Sequence, residues 1–191
     1  QSFFIQRNEY EKRNRHSSKV LWLTGLSGSG KSTIANSLHS KLFSEGFNSI
    51  ILDGDNTRLG INNDLGFSLN DRSENIRRVA EIAKLFVNTG HIVICAFISP
   101  LEANRKIARE IISKNDFMEV FIKCSLNECE RRDVKGLYAK ARAGELKGFT
   151  GIDDPYEEPG NCELIIDTTN ITPEEAVQEV MLYLEKEGLV I

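Results

Sequence analysis

The chain has 191 residues, 40% of them hydrophobic and 27% charged, which is typical of one globular domain. Its 28 acidic residues outnumber 24 basic ones, giving a formal net charge of −4, so composition does not favour general binding of nucleic acid or acidic membranes. No apolar run approaches the roughly 18 residues of a membrane span, and the run at residues 3–5 is too short for a signal peptide.

Five short runs of Val, Ile and Leu without alternation predict strands that are buried on both faces. The predicted strands are residues 20–23, 50–52, 92–98, 120–122 and 164–166. Helical periodicity or helix-forming composition predicts helices over residues 31–43, 72–88, 101–113, 126–132 and 173–187. This alternation predicts an α/β fold with a parallel sheet and right-handed crossovers.

Two predicted helices carry recognisable end signals. Asp71 with Glu74 resembles a capping box that would start one helix, and Gly90 is a plausible stop for it. Thr172 followed by Pro173 predicts the start of the last helix, because proline suits the first helical position.

Two stretches do not fit the alternation of strands and helices. Residues 1–18 are polar, and we interpret them as an arm, or a helix that docks on the body or on a second subunit, with the main domain over residues 19–191. Residues 133–161 hold several glycines and prolines without apolar periodicity. We call this second stretch the lid segment, because a long irregular segment in a compact domain is often a functional lid.

The four cysteines contain no CxxC pair, and together with the three histidines they form no zinc pattern. Their scattered positions favour reduced thiols, and we therefore expect a cytoplasmic location.

Residues 25–32 fit the pattern GxxxxGK[ST] between a predicted strand and a predicted helix. We call them the phosphate cradle, because glycines let backbone N–H groups point at phosphate oxygens and the helix N-terminus adds positive charge. Lys31 can reach the β- and γ-phosphates, and the Ser32 hydroxyl can bind Mg²⁺. The residues predicted to bind a nucleoside triphosphate are Gly25, Leu26, Ser27, Gly28, Ser29, Gly30, Lys31, Ser32 and Thr33.

Other nucleotide-dependent classes fit less well. A guanine-reading NKxD is absent, and the DxxG at residues 133–136 follows a predicted helix instead of a strand. The chain is also too short for helicase or transporter ATPase architectures. A small-molecule kinase is therefore the preferred interpretation.

Two carboxylates, Asp53 and Asp55, follow the second predicted strand, where ligands bind in open α/β sheets. One can hold Mg²⁺ and the other can accept a proton from the attacking hydroxyl. Arg58 lies close enough in sequence to grip an anionic acceptor. The alternative is an Asx turn with a solvated arginine.

These motifs together resemble the adenylylsulfate (APS) kinase family, which uses ATP to phosphorylate the 3′-hydroxyl of adenosine 5′-phosphosulfate, giving PAPS. The resemblance covers roughly residues 16–188. It is carried by residues 25–32, by Leu-Asp-Gly-Asp-Asn at 52–56 with Arg58, and by residues 63–68, 71–78, 97–100, 132–138 and 148–156. It implies a three-layer P-loop NTPase fold with a five-stranded parallel sheet and a lid.

The resemblance implies that Arg58, Phe67, Arg72 and Asn75 bind APS and that Ile98 and Ser99 border it. Arginines suit the phosphosulfate anion, and Phe67 would stack on adenine. Without the resemblance, the alternative is that Phe67 is a phenylalanine of the hydrophobic core. Bacterial members of the family are described with that serine as a phosphoserine intermediate. Direct in-line transfer needs no protein nucleophile, so Ser99 is a weaker catalytic candidate than Asp55.

The resemblance extends to the lid segment. Lys135 would close over the phosphates, Arg132 would lie near ATP, and Phe149 with Thr150 would form a second clamp on APS, with its adenine between Phe67 and Phe149. A solvated basic surface is the alternative. The family often has Lys-Lys where this chain has Ala139-Lys140, so this chain has one lid charge fewer at these two positions.

We therefore predict a kinase that uses ATP and Mg²⁺ on APS in sulfate assimilation. Asp55 would be the base or hydroxyl orienter, Lys31 would stabilise the transition state, and Ser32 with Asp53 would hold the metal. The alternatives are a nucleotide-binding regulatory module without turnover and a kinase for another small anionic acceptor. The family resemblance also suggests a homodimer and an association or fusion with ATP sulfurylase.

Overall fold

The computed structural model describes residues 4–190, so residues 1–3 of the predicted arm and Ile191 lie outside the described residues. The strands are β1 (Lys19–Thr24), β2 (Ser49–Asp53), β3 (Ile92–Ala96), β4 (Phe117–Lys123) and β5 (Leu164–Asp167). The helices are α1 (Arg7–Asn14), α2 (Lys31–Ser44), α3 (Gly54–Leu59), α4 (Leu69–Val87), α5 (Glu102–Ile112), α6 (Leu126–Arg132), α7 (Leu137–Arg142) and α8 (Pro173–Lys186).

The strands form one five-stranded sheet in the order β2-β3-β1-β4-β5, and every neighbouring pair is parallel. The central strand β1 explains why the apolar runs do not alternate. Leu21 and Leu23 join a core cluster with α2 and α8, whereas Val20 and Trp22 join a second cluster with α4 and α5. Both faces of the sheet are therefore covered by helices, and the predicted three-layer α/β fold is confirmed.

The predicted start of α4 is wrong by three residues. The N-cap is Ser68, whose hydroxyl accepts the Asp71 backbone N–H at 3.2 Å and donates to the Asp71 carboxylate at 2.8 Å. Glu74 lies further along the helix and pairs with two arginines instead. The helix therefore starts after Ser68 and not after Asp71. The short serine side chain stabilises this earlier start, because it satisfies a backbone N–H group that the first turn leaves free.

The capping of α8 is confirmed, since Thr172 and Glu175 each accept the other's backbone N–H. The predicted strand over residues 92–98 ends two residues early, at Ala96.

The lid segment was expected to lack regular structure, and this is wrong for α7. The Asp133 carboxylate starts this helix by accepting the N–H groups of Tyr138 and Ala139, both at 3.0 Å.

Helix α1 docks on the body of its own chain. Arg7 donates to Asp116 at 2.7 Å and to the Ser18 hydroxyl at 2.8 Å, and Asn14 donates to the Gly90 carbonyl at 3.0 Å. Gly90 has a φ of +80° just after α4. The boundary between arm and domain remains a prediction.

Over residues 4–190, no helix combines the length and apolarity needed to cross a membrane.

Candidate active site

A cavity of about 890 Å³ opens beside the carboxyl ends of β1, β2 and β3. One side is formed by the phosphate cradle and the start of α2. The other side is formed by α3, by the first turns of α4 and by the lid segment. A cavity beyond the carboxyl ends of parallel strands is where this fold class binds its ligands.

Backbone geometry shapes the phosphate cradle. Gly25 approaches β4 so closely that a Cβ there would lie 2.4 Å from the Ile122 carbonyl oxygen. Gly28 has a φ of +76°, and a Cβ on it would lie 3.0 Å from the Cys129 carbonyl oxygen. Glycine is required at both positions, because any side chain would displace the neighbouring backbone.

Lys31 is buried inside the cradle, where its ammonium donates to the carbonyls of Gly25 at 2.8 Å and Leu26 at 2.6 Å. Burial lowers the pKa of Lys31 to about 8. Arriving phosphates would exchange the carbonyl contacts for anionic ones and favour the protonated form.

Of residues 25–33, which were predicted to bind the nucleotide, six line the cavity: Ser27, Gly28, Gly30, Lys31, Ser32 and Thr33. Gly25, Leu26 and Ser29 do not line it: Leu26 packs against the cluster that contains Tyr138 and Phe149, and Ser29 is buried. The Ser29 carbonyl accepts from the buried Thr168 hydroxyl at 2.8 Å. Sequence reasoning did not find Thr168, because it follows β5 without a motif of its own.

Ser32 and Asp53 meet at the cavity floor, with 2.8 Å between the hydroxyl and the carboxylate. The other carboxylate oxygen of Asp53 caps α3 by accepting the Asp55 N–H at 2.9 Å. Hydroxyl and carboxylate oxygens suit a hard cation that keeps several waters and takes further oxygens from phosphates. These two residues therefore fit Mg²⁺ as predicted from the sequence.

Asp55, in the first turn of α3, forms an ion pair with Lys135 of the lid segment. Both side chains are exposed to the cavity mouth, and they are 80 positions apart in the sequence. The tertiary structure thus brings the predicted base and the predicted lid cation together. Sequence reasoning named both residues but not their contact.

Arg58, Phe67, Arg72 and Asn75 line the cavity opposite the cradle, and we call these four residues the acceptor wall. The Arg58 guanidinium lies 4.5 Å from the centre of the Phe67 ring, and Arg58 donates to the Gly66 carbonyl at 2.8 Å. Phe67 is 72% exposed. This excludes the interpretation of Phe67 as a core phenylalanine and leaves most of its ring surface accessible to a planar ligand, beside the Arg58 guanidinium.

Arg72 ties the acceptor wall to the lid segment. It donates to the Gly148 carbonyl at 2.6 Å and to the Thr150 hydroxyl at 3.0 Å. Asn75, almost one turn further along α4, lines the same cavity. Its side-chain oxygen accepts from Asn62 at 2.9 Å, and Asn62 is a residue that sequence reasoning missed.

Ile98 and Ser99 follow β3 and line the cavity. The buried Ser99 has a φ of +38°, and its hydroxyl accepts from the Trp22 indole at 3.1 Å and donates to Thr24 at 3.0 Å. Neither partner is a general base that could activate a nucleophile. Sequence reasoning also missed Arg105, a buried residue that donates to the Ser99 carbonyl at 2.8 Å.

Phe149 packs edge-on against Tyr138, with 4.9 Å between the ring centres. The Tyr138 hydroxyl donates to the Ser27 carbonyl at 2.9 Å, which links the lid segment to the cradle. Arg132 donates to the Thr168 carbonyl at 2.6 Å and also lines the cavity. Phe149, Thr150 and Lys135 line it as well, so the predicted clamp residues from the lid face the same space as Phe67.

A phosphate cradle on this parallel sheet, facing a basic and aromatic wall across one cavity, defines a P-loop kinase for a small acceptor. A model of the adenylylsulphate kinase family matches residues 17–167. The chain therefore belongs to the adenylylsulphate kinase family, and the predicted family and fold class are confirmed.

Named relatives agree with this assignment. The adenylyl-sulfate kinase of Bacillus pumilus is 56% identical over 184 residues, which are 96% of this chain and 93% of the relative. The probable adenylyl-sulfate kinase of Bacillus subtilis is 59% identical over 164 residues, 86% of this chain and 83% of the relative. The predicted activity is the one for which these relatives are named.

A solved structure gives the same result. The APS kinase of Mycobacterium tuberculosis, solved with AMPPNP and APS, superimposes with a TM-score of 0.86 at 49% identity. The match covers 89% of this chain and 99% of the other. ATP as the co-substrate is therefore supported by a close structural neighbour.

Proposed function

We propose that this chain transfers the γ-phosphoryl group of ATP to the 3′-hydroxyl of APS, forming PAPS and ADP in sulfate assimilation. The observation that carries the proposal is that the phosphate cradle and the acceptor wall face each other across one cavity of about 890 Å³. A nucleoside triphosphate on one side then points its γ-phosphate toward an acceptor on the other. In-line transfer requires this arrangement, because positioning and charge neutralisation supply most of its catalysis.

On the cradle side, Lys31 would contact the transferred phosphoryl group, and Arg132 would lie near the nucleotide. Ser32 and Asp53 would hold Mg²⁺, which neutralises charge on the β- and γ-phosphates when it is bound. Asp55 would orient the 3′-hydroxyl and accept its proton as the oxygen–phosphorus bond forms. Lys135, paired with Asp55 in this structure, would move onto the phosphates and free the carboxylate.

On the acceptor side, the adenine of APS would stack between Phe67 and Phe149. Arg58, Arg72 and Asn75 would bind the phosphosulfate group, with Thr150, Ile98 and Ser99 bordering the substrate. Two arginines and an exposed aromatic ring favour an anionic acceptor with a planar base over a sugar acid.

We propose direct transfer without a phosphoserine intermediate, because the Ser99 hydroxyl already bonds to Trp22 and Thr24. Replacing Ser99 with Ala should therefore lower kcat about fivefold or less through loosened packing. A phosphoserine mechanism would abolish turnover in this variant and leave radiolabelled phosphate on the wild-type chain after incubation with labelled ATP alone.

The family resemblance supports three further proposals, on oligomeric state, partner and location. We propose a homodimer, an association with ATP sulfurylase and a cytoplasmic location. The location is compatible with the free state of the four cysteines. Light scattering of the purified chain, with and without the sulfurylase, would test the two assemblies.

The experiment that tests the reaction is ADP release from MgATP with APS, AMP, adenosine or gluconate as acceptor. The proposal expects turnover with APS and at most weak turnover with the other three. ATP binding without acceptor-dependent ADP would instead identify a regulatory module, and preference for another acceptor would identify a different kinase.

A further inference from the structure

The inference concerns the connection between α3 and α4, which lies behind the acceptor wall. Asn62 sits in this connection and is fully buried. Its backbone is held on both sides, because its N–H donates to the Thr57 carbonyl at 2.9 Å and its carbonyl accepts from Leu65 at 3.1 Å. The backbone of Asn62 is therefore fixed between the end of α3 and the turn at Leu65.

The Asn62 side chain makes one hydrogen bond within the described residues. Its Nδ2 donates to Oδ1 of Asn75 at 2.9 Å, whereas its own Oδ1 is buried without a partner. A buried amide that leaves one atom unsatisfied costs stability. An apolar side chain would fill this position at a lower cost in stability. We therefore look for the role of Asn62 in its hydrogen bond to Asn75.

The bond determines what Asn75 presents to the cavity. An amide has an oxygen that accepts and a nitrogen that donates. With Oδ1 of Asn75 held by Asn62, its Nδ2 has no protein partner among residues 4–190 and remains available on the cavity side. We propose that Asn62 is a positioning residue that orients Asn75 as a hydrogen-bond donor to the acceptor substrate. This inference rests on the proposed function, in which the acceptor is the anionic APS.

The direction of the bond can be tested by Asn62→Asp. A carboxylate at this position only accepts, so the Asn75 amide would turn to donate its Nδ2 to residue 62 and would present Oδ1 to the phosphosulfate. We expect the KM for APS to rise roughly tenfold or more, because a hydrogen bond to a charged group is replaced by repulsion. The KM for MgATP should stay within about twofold. An unchanged KM for APS would mean that Asn75 already donates to Asn62, and it would overturn the proposal.

The coupling between the two residues can be tested by a double-mutant cycle. Asn62→Leu removes the donor and Asn75→Leu removes the group that it orients. If Asn62 acts through Asn75, the double variant should have the same KM for APS as Asn75→Leu alone. Fully additive increases would show that Asn62 acts by another route and would contradict the inference.

Loss of stability is separated from positioning by Val79→Ala, a buried core position one turn further along α4. This control should lower the melting temperature at least as much as Asn62→Leu while leaving the KM for APS unchanged. If Asn62→Leu does not fold, Asn62→Ser replaces it in the cycle. Wild-type turnover with APS is measured in parallel, so failure of the proposed reaction is distinguished from failure of the positioning role.

Discussion

The cradle side and the acceptor side of the cavity are built in different ways. The cradle is made mostly of backbone, and Lys31 is bonded inside it to two carbonyls of the same loop. The acceptor side is made of side chains from α3, from its connection to α4, from α4 and from the lid segment, with Phe67 72% exposed and Val134 91% exposed. The segments that form the acceptor side are joined by a few contacts between residues distant in the sequence, such as the hydrogen bond from Arg72 to Gly148.

This difference indicates what each side contributes to the reaction. A cradle built from backbone can contact the phosphates of any nucleoside triphosphate, so we expect it to supply rate but little acceptor specificity. The acceptor side combines half-buried arginines with an exposed aromatic ring and contacts the lid segment through Arg72, so we expect it to supply specificity and to close when substrate binds. Substitutions in the cradle should therefore affect turnover or stability, and substitutions in the acceptor wall should affect the KM for APS.

The largest effect is expected for Lys31→Met. This change removes the buried cation that we propose stabilises the transferred phosphoryl group, and kcat/KM should fall about 10³-fold. Coupled measurement of ADP release provides the test. Lys41→Met on the same helix, where Lys41 is exposed and pairs with Glu45, should leave the rate unchanged; an equal loss there would contradict the assignment.

Next in size is the stability cost of Gly25→Ala. The added Cβ would lie 2.4 Å from the Ile122 carbonyl oxygen, and relieving this clash should cost about 3 kcal/mol of unfolding free energy. Gly144→Ala in the lid segment is the comparison, because its φ is +75° but nothing lies within 4 Å. It should cost about 1 kcal/mol. Urea unfolding measures both values, and equal costs would remove the distinction between the two regions.

Asp55→Asn should lower kcat about 10²-fold while leaving AMPPNP binding intact, because the amide cannot accept the proton of the attacking hydroxyl. Lys135→Met is the matched variant, since it breaks the same ion pair from the lid. The loss in Lys135→Met should be smaller. Equal losses would mean that Asp55 acts only by holding the lid, and unchanged turnover would exclude it from catalysis.

Phe67→Ala should raise the KM for APS about tenfold, the effect of losing one aromatic stacking surface for a base. The unfolding free energy should change by less than about 0.5 kcal/mol because the ring is exposed. Phe43→Ala provides the control, since Phe43 is 76% exposed on α2. A comparable rise in the KM for APS in both variants would show that Phe67 has no specific role in substrate binding.

The smallest expected effect is proton uptake when MgATP binds. The pKa of Lys31 is about 8 in the folded chain, and phosphates should raise it toward its ordinary 10.5. At pH 8, binding should therefore take up about half a proton, and at pH 6.5 almost none. Calorimetry in two buffers of different ionisation enthalpy measures this uptake, which Lys31→Met should abolish.

The same pKa shift predicts how stability depends on pH. Below pH 8 the buried charge of Lys31 lowers the unfolding free energy, because its pKa is lower in the folded chain than in the unfolded one. As the pH rises from 8 to 10.5, the unfolded chain binds more protons than the folded chain, so this penalty disappears. The urea concentration at the unfolding midpoint of the wild type should rise relative to that of Lys31→Met over this interval.

The sequence by itself determined the five strands and the phosphate cradle. Both are local patterns, since a strand buried on two faces needs an unbroken run of Val, Ile and Leu, and a cradle needs glycines and Lys31 within eight residues. The proposed roles of Arg58, Phe67, Arg72 and Asn75 come from a family resemblance carried by similarly local motifs.

Only the tertiary structure decided which of these residues touch. The pair of Asp55 with Lys135 joins residues 80 positions apart, and the bond from Arg72 to Gly148 spans 76. The Asn62 contact and the helix α7 also carried no sequence signal, because short helices and single buried amides depend on what packs around them. Periodicity reports how a segment meets the core, whereas these contacts depend on where distant segments meet one another.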